Sequence, residues 1–491
     1  MAQNNKILGS LGAIGTILCL LFLPAPIGAI SYPPIRTDSV AYHQQKSPFD
    51  GAACSMLAVD LDNGETLYSA SPRQNLTPAS CMKAVTTGLG FLLLGNDFQF
   101  GTTLAYTGTI ARDTLFGDLL VIGGGDPSLG SELFPGQAED SLFSAISGLL
   151  GQKHIGYITG NLVGDATLFS DAPVHQAWDW EDIGNGYGTG VHGLNFNENK
   201  CSVTVDYRPD GTLSVQWPDW FQRLGFSYRI DQQPFRKGES PSVTLFVAPG
   251  GTEYTLTTRL PQIRESYSVE AALTRPGWLL LHKLSEWLRQ RGIRYGGTLQ
   301  MAGPDQRVPA IVAGKLFSPP YTAIAKETNE LSHNVMADAI CKTIGLKITG
   351  NGTFASGTFV MDSLLRNALP HTPPFRLLDG SGLARANALS AAFFCDFLSM
   401  MYKSACFDSY YASLTGVDSQ AYSTFLRNVS TRNSLRLKSG SMTGVRCYTG
   451  YVRSKSGRMV AFAWMLNGYT GNGTDARTEA EKWLRQLIET N

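Results

Sequence analysis

Apolar positions recur along the chain in several distinct periods, and each period predicts an element. From Met56 to Leu61 apolar residues alternate loosely, Asp62-Asn63-Gly64 supplies tight-turn chemistry, and Thr66 to Ser69 resumes strand character, so residues 56–69 predict a β-hairpin. Thr77 as cap and Pro78 at the first helical position predict a helix that continues through Ala84, Val85 and Leu89, with Ser80 in its first turn. Ala323 to Leu331 is a polar helical stretch and Val335, Met336, Ala339 and Ile340 form the apolar face of another, which puts residues 332–334 at a helix–helix junction. Toward the end, Ser434–Leu437, Arg446–Arg453 and the nearly continuous apolar run Met459–Leu466 predict strands, and Asp475–Ile488 predicts a terminal amphipathic helix.

The middle of the chain has a different texture. Cys201–Val205 and Thr212–Trp217 flank Arg208-Pro209-Asp210-Gly211, a hairpin pattern. Pro276 to Gly292 is an amphipathic helix with Leu280, Leu284, Trp287 and Leu288 on one face and Gly292 as its stop. The glycines at 123–125 and 184–190 match neither a G-x-x-x-x-G-K-[S/T] loop nor a strand-GxGxxG-helix unit, so they read as turns.

Composition narrows the class. With 491 residues, 43% hydrophobic and 16% charged, the chain can bury several cores as a globular enzyme does. Lys plus Arg equals Asp plus Glu, 40 each, which leaves no basic footprint for nucleic acid. Lys6, the apolar run Ile7–Leu23 and the small residues up to Ala29 read as a secretory signal over residues 1–29, with an uncleaved membrane anchor as the alternative. That placement is periplasmic or otherwise extracytoplasmic. Seven cysteines follow Cys19, an odd number, most of them in apolar strings, so they are expected to pack as small core residues without an essential disulfide.

Three short strings carry the candidate chemistry: Ser80-Cys81-Met82-Lys83, Ser332-His333-Asn334 and Lys438-Ser439-Gly440-Ser441. Each alone is common. Together and in this order they form the motif set of β-lactamases and penicillin-binding proteins. Residues three apart on a helix are neighbours, so the Lys83 amine can reach the Ser80 hydroxyl. A lysine drawn into a desolvated pocket beside another cation can serve as a general base. The seven histidines offer no alternative, since none stands in a nucleophile-elbow context, and no HExxH or clustered Cys/His spacing suggests a metal. Ser332 can relay a proton between Lys83 and a leaving amine, and Asn334 can orient Lys83 or bind a substrate carbonyl. Lys438 and Ser439 can bind a substrate carboxylate, while the N–H groups of Ser80 and Ser441 can form an oxyanion hole. His333, in the opposite register, is expected to be an ordinary solvated loop histidine.

Roughly 250 residues separate Ser80 from Ser332, more than one typical domain. That insertion carries Gly117-Asp118-Leu119, Gly123-Gly124-Gly125-Asp126-Pro127 and Trp178-Asp179-Trp180-Glu181-Asp182, and Asp379-Gly380-Ser381-Gly382-Leu383-Ala384-Arg385 lies between the second and third motifs. With these strings, residues 52–487 resemble the class C low-molecular-mass penicillin-binding proteins, the D-alanyl-D-alanine carboxypeptidase/endopeptidases. Ser439, where that family usually has Thr, keeps the hydroxyl.

The resemblance implies an α/β fold: a serine β-lactamase/transpeptidase-like catalytic domain, an antiparallel sheet flanked by helices, interrupted by a β-rich insert of two nested domains. The expected boundaries are residues 30–98 and 310–491 for the catalytic unit, 99–165 and 245–309 for the second domain, and 166–244 for the third. It also implies peptidoglycan stem peptides as substrate, a Ser80 acyl-enzyme, no cofactor, and β-lactam antibiotics as covalent inhibitors. Asp182 and Arg385 are the implied contacts to a stem-peptide side chain bearing both an ammonium and a carboxylate. Two rivals are a β-lactamase and a non-catalytic wall-binding scaffold. Against the first, no Glu occurs from Val335 to Leu437 to activate a deacylating water; against the second, all motif residues are intact.

Overall fold

In the computed structural model the described residues are 49–208, 210–262, 266–303, 309–417, 419 and 432–490. The expected secretory signal, and Pro209 in the predicted hairpin turn, lie outside them.

The central sheet joins the two ends of the described chain. Strands β1 (Ala53–Asp60) and β2 (Thr66–Ala70) form the expected hairpin, with Met56 opposite Ala70. Four later strands complete it: β3 (Thr415–Gly416), β4 (Arg436–Met442), β5 (Val445–Arg453) and β6 (Met459–Asn467), in the order β3-β4-β5-β6-β1-β2, antiparallel throughout. The continuous apolar run in β6 follows from burial on both faces. Val460, Phe462, Trp464 and Leu466 pack with Trp483, Leu484, Leu487 and Ile488 of the helix Gly473–Thr490, whereas Ala461, Ala463 and Met465 face the helical core on the other side. Small residues on that second face let helices Met82–Leu93 and Ala391–Tyr402 approach.

Two sequence expectations are corrected here. Thr77 does not cap a helix; its Oγ1 donates to the Arg385 carbonyl at 2.8 Å, and the segment opens as a tight 3-10 turn over Ala79–Cys81 with no side-chain cap. The reason is local: Ala79 sits at φ 47°, a left-handed conformation that breaks the helical path from Pro78. The third motif does not end a strand at Leu437, because the ladder between β4 and β5 continues through it to Met442 opposite Val445, closed by Thr443-Gly444 with Gly444 at φ 69°. Ser434, expected to start that strand, instead ends a 3-10 turn over Arg432–Ser434.

Among the described residues the insert contains four further sheets. A five-stranded sheet brings Leu299–Met301, Leu162–Asp165, Leu119–Ile122, Gly101–Tyr106 and Ile311–Phe317 together in that order, and a four-stranded sheet lies beside it in sequence. Helix Pro276–Gln290 contributes Leu280, Leu284 and Leu288 to the same core. The pairing of 311–317 with 101–106 carries this sheet past the expected 309/310 junction. Two three-stranded sheets complete the insert: Leu213–Gln216, Lys200–Tyr207 and Tyr267–Ala272, then Ser227–Gln232, Glu253–Arg259 and Ser242–Phe246. The expected boundary at 244/245 thus falls inside a strand. Among the described residues no helix is long and apolar enough to cross a membrane.

Candidate active site

Ser80 lies on the tight turn leading into helix α1 (Met82–Leu93), and the turn is held from both sides by backbone packing. A Cβ on Gly440 of β4 would come within 2.4 Å of the Pro78 carbonyl and 3.0 Å of the Ser80 nitrogen. One on Gly382, itself at φ 82°, would come within 2.0 Å of the Ala79 carbonyl. Only glycine fits either place, so strand and loop touch the backbone around Ser80 directly.

Lys83, the second residue of α1 and about one turn after Ser80, is fully buried. Its Nζ donates to Ser80 Oγ at 2.9 Å, to Asn334 Oδ1 at 2.5 Å and to the Ser381 carbonyl at 2.7 Å. Burial first, and then the nearby Lys438 ammonium, hold Lys83 well below the ordinary lysine value, against the opposing pull of Asp338 and Asp379. In the neutral form that this shift makes accessible, two N–H donors remain for Asn334 and Ser381 and the lone pair can accept from the Ser80 hydroxyl.

The second motif follows helix α2 (Tyr321–Glu330) and opens helix α3 (Asn334–Thr349). The His333 N–H bonds the Thr328 carbonyl, and Ser332 occupies the left-handed position of this helix-end motif at φ 56°, where glycine is usual. The conformation costs a serine roughly 1 kcal/mol. It brings Ser332 Oγ within 3.0 Å of Lys438 Nζ, the donor. Asn334 accepts from Lys83 and donates through Nδ2 to the Tyr187 carbonyl of the insert at 2.7 Å.

Lys438 is 2% exposed and also donates to the Ser439 carbonyl at 2.9 Å; burial lowers it to about 8. By strand alternation Lys438 and Gly440 face Ser80, while Ser439 and Ser441 share the opposite face. Cys81, inside the first motif, is buried, donates its thiol hydrogen to the Lys438 carbonyl at 3.2 Å, and is pushed up to about 12 by burial, the state of a packing residue.

A cleft of about 610 Å³ opens over Ser80; Ser332, Asn334, Ser441, Asp182 and Arg385 also line it, while Lys83 and Lys438 lie behind its wall. Asp182 and Arg385, singled out together from sequence, share the cleft but have other partners. Tyr187 donates its hydroxyl to Asp182 Oδ1 at 3.0 Å, and Arg385 binds Asp179 Oδ2 through Nε and the Thr443 carbonyl through a terminal nitrogen. Burial raises Asp182 above the ordinary carboxyl value.

Several residues of this neighbourhood escaped the sequence reading. Asp379, fully buried, accepts from the backbone N–H of Gly382 and Ala384, from Asn387 Nδ2 and from Trp178 Nε1, at 2.7–2.9 Å, and so shapes the loop whose Ser381 carbonyl receives Lys83. Asp338 of α3 receives the N–H groups of Gly380 and Ser381 at 2.8 and 2.9 Å. Its carboxyl is raised by burial and by Asp379. The Asp-Gly-Ser-Gly string is turn chemistry that could have marked Asp379, but nothing local marks Asp338. His333 is corrected: it is no solvated loop residue, since its side chain is 9% exposed and its Nε2 lies 2.9 Å from Glu198 Oε2 of the insert.

Known proteins match the chain over most of its length. The chain is 26% identical over 437 residues to a D-alanyl-D-alanine carboxypeptidase of Actinomadura sp., covering 86% of this chain and 79% of that one. It is 24% identical over 463 residues to the D-alanyl-D-alanine carboxypeptidase DacB of Haemophilus influenzae, covering 92% of both. The crystal structure of penicillin binding protein 4 (dacB) from Haemophilus influenzae has the same fold, with a TM-score of 0.76 at 22% identity over 89% of this chain and 96% of that chain. Residues 36–490, which take in both halves of the central sheet and everything between, match the D-Ala-D-Ala carboxypeptidase 3 (S13) family, and the chain belongs to that family.

Proposed function

We propose that this chain hydrolyses peptidoglycan stem peptides ending in D-Ala-D-Ala, and the cross-links between them, through an acyl-enzyme on Ser80. The reaction class, D-Ala-D-Ala peptide hydrolysis by a serine peptidase, comes with membership of the family. The assignment of residues is our reading of the geometry. The observation that carries it is the buried Lys83 amine 2.9 Å from Ser80 Oγ.

In this scheme Lys83 takes the Ser80 proton as Oγ attacks the carbonyl carbon of the penultimate D-Ala. The Ser80 and Ser441 N–H groups receive the developing oxyanion. Ser332, bonded to Lys438, hands its proton to the leaving amine as the C–N bond breaks and takes back the one Lys83 holds; water then cleaves the Ser80 ester, losing a proton to Lys83 that returns to Ser80 Oγ. Lys438 and Ser439 hold the terminal carboxylate, and Asn334 orients Lys83. Asp182 and Arg385 meet the charged ends of the stem-peptide side chain. A β-lactam carbonyl enters by the same path and leaves Ser80 acylated.

The same reading takes residues 1–29 as a secretory signal and places the enzyme outside the cytoplasm, where its substrate is. It takes the chain as a catalytic unit split by two nested inserts, with junctions near those expected from sequence and adjusted to spare the strands 242–246 and 311–317.

The test is covalent labelling of the protein and of Ser80→Ala by a fluorescent penicillin, followed by intact mass and by release of D-alanine from a D-Ala-D-Ala peptide. Long-lived labelling of the wild type alone, with D-alanine release, is the expected result. Label lost within about a second through turnover indicates a β-lactamase, and absence of label a non-catalytic scaffold.

A further inference from the structure

The second motif is held from outside its own helices by a short stretch of the insert. Tyr187 accepts the Asn334 amide through its carbonyl, and eleven positions later Glu198 meets His333. Asn197, Glu198 and Asn199 are three successive non-glycine residues in the left-handed region, at φ 52°, 55° and 53°. Such a run persists only when its surroundings over-determine it. Here Asn199 does so: its side chain accepts the Phe196 N–H at 3.0 Å and donates to Asn195 Oδ1 and the Gly190 carbonyl at 2.7 and 2.9 Å.

The turn delivers the Glu198 carboxylate, 7% exposed, to three donors: His333 Nε2 at 2.9 Å, Lys200 Nζ at 3.0 Å and Ser131 Oγ at 2.8 Å. Burial alone would raise this carboxyl, yet the bond and charge of His333, with Lys200 and Ser131, bring it down to about 2. On the other ring edge, His333 Nδ1 is buried with no partner among the described residues, so the ring depends on Glu198 for its polar anchorage. His333 stands between two residues with exacting requirements: Ser332, left-handed and bonded to Lys438, and Asn334, bonded to Lys83.

We propose that Glu198 is a positioning residue for the second motif, fixing the His333 ring and through it both Ser332 against Lys438 and Asn334 against Lys83. The inference rests on the proposed acyl-transfer reading, and it gives the insert a part in the chemistry at a distance from the reacting atoms. A contact that merely ties the insert to the rest of the chain would affect stability and leave the turnover of folded enzyme unchanged.

The experiment compares full-length wild type with Glu198→Ala, Glu198→Gln and His333→Ala, measuring kcat and KM on a D-Ala-D-Ala peptide, the rate of labelling by fluorescent penicillin, and Tm. Only the folded fraction, gauged by near-ultraviolet circular dichroism, is counted. Glu198→Ala and His333→Ala should each lower kcat and the labelling rate about tenfold or more with KM within about threefold, because the groups displaced act on the reacting atoms and not on substrate affinity. Glu198→Gln, which keeps an oxygen for His333, should recover most of the rate. If Glu198→Ala does not fold, His333→Ala carries the comparison, since it leaves Glu198 with Lys200 and Ser131. Rates within about twofold of wild type in the folded variants, whatever their Tm, overturn the inference while leaving the acyl-transfer reading intact. A wild type that is never labelled overturns both.

Discussion

The two sides of the cleft are built by different means. On the side of Ser80, Lys83 and Lys438, backbone lies directly on backbone: Gly440 and Gly382 touch the turn around Ser80 with no room for a methyl group. On the side of Ser332 and Asn334, a helix end in a costly conformation is held by long-range hydrogen bonds from Tyr187 and Glu198. Close backbone packing gives rigidity without any dependence on charge. Side-chain tethers give placement that a single atom change can undo. Ser80 and Lys83 thus sit against close-packed backbone, and Ser332 sits where the insert has purchase on it.

The largest effect should come from filling the rigid side. Gly440→Ala puts a carbon 2.4 Å from the Pro78 carbonyl, with backbone that cannot give. It should destabilise the protein by about 2–4 kcal/mol and cut penicillin labelling by about a thousandfold, read by denaturant titration and labelling kinetics. Near-normal labelling would show that the strand can slide and that this side is not rigid.

Next comes pH. Lys83 is held below its ordinary value and in the proposed scheme acts as the neutral amine, so labelling should fall about tenfold per unit as pH drops below its folded pKa. A rising limb near 10.5, the ordinary value, would refute the desolvated base. Lys438 adds a stability term of known sign. Its folded value, about 8, lies below the unfolded 10.5, so the unfolded chain binds more protons in between and stability from this group rises with pH across that window. Lys438→Met should flatten that part of a stability–pH curve relative to wild type.

A smaller effect is expected where the two sides meet. Asp379→Asn weakens the acceptor for Gly382, Ala384, Asn387 and Trp178 and should cost about 2–3 kcal/mol, with roughly tenfold slower labelling as the Ser381 carbonyl shifts from Lys83. The smallest is at the cleft rim. Asp182→Asn should raise KM by about threefold to tenfold for a stem peptide with an ammonium-bearing side chain and leave kcat and penicillin labelling nearly unchanged.

The same division explains what the sequence disclosed. Ser80 and Lys83 are three apart, the hairpin 53–70 is local, and β6 announces burial on both faces by its unbroken apolar run, so helix and strand were legible from period alone, and the first motif only beside the other two. Ser332, Asn334 and Lys438 were found because their strings match a known set, and the structure brings them to the same few ångströms. Tethers between distant residues left no local trace. Glu198 and His333 are 135 positions apart and Trp178 and Asp379 are 201 apart, and neither pair belongs to a period or a spacing rule. Thr77 misled for a related reason: its hydroxyl has the chemistry of a cap, but a carbonyl from residue 385 claims it.

Strand β1 lies between β2 and β6, and its ladder runs from Ala53 opposite Asn467 to Asp60 opposite Val460. About 400 residues of chain separate the partners, so the loop that must close before the central strands pair is nearly the whole protein. Such high contact order slows folding, and it orders events. The insert and the helices can form while β1 still lacks a neighbour on its inner edge; the floor beneath Ser80 is laid only when the last strand arrives. Until residues 459–467 have been made, the chain therefore carries Ser80 without the completed sheet behind it, a delay written into the strand order itself.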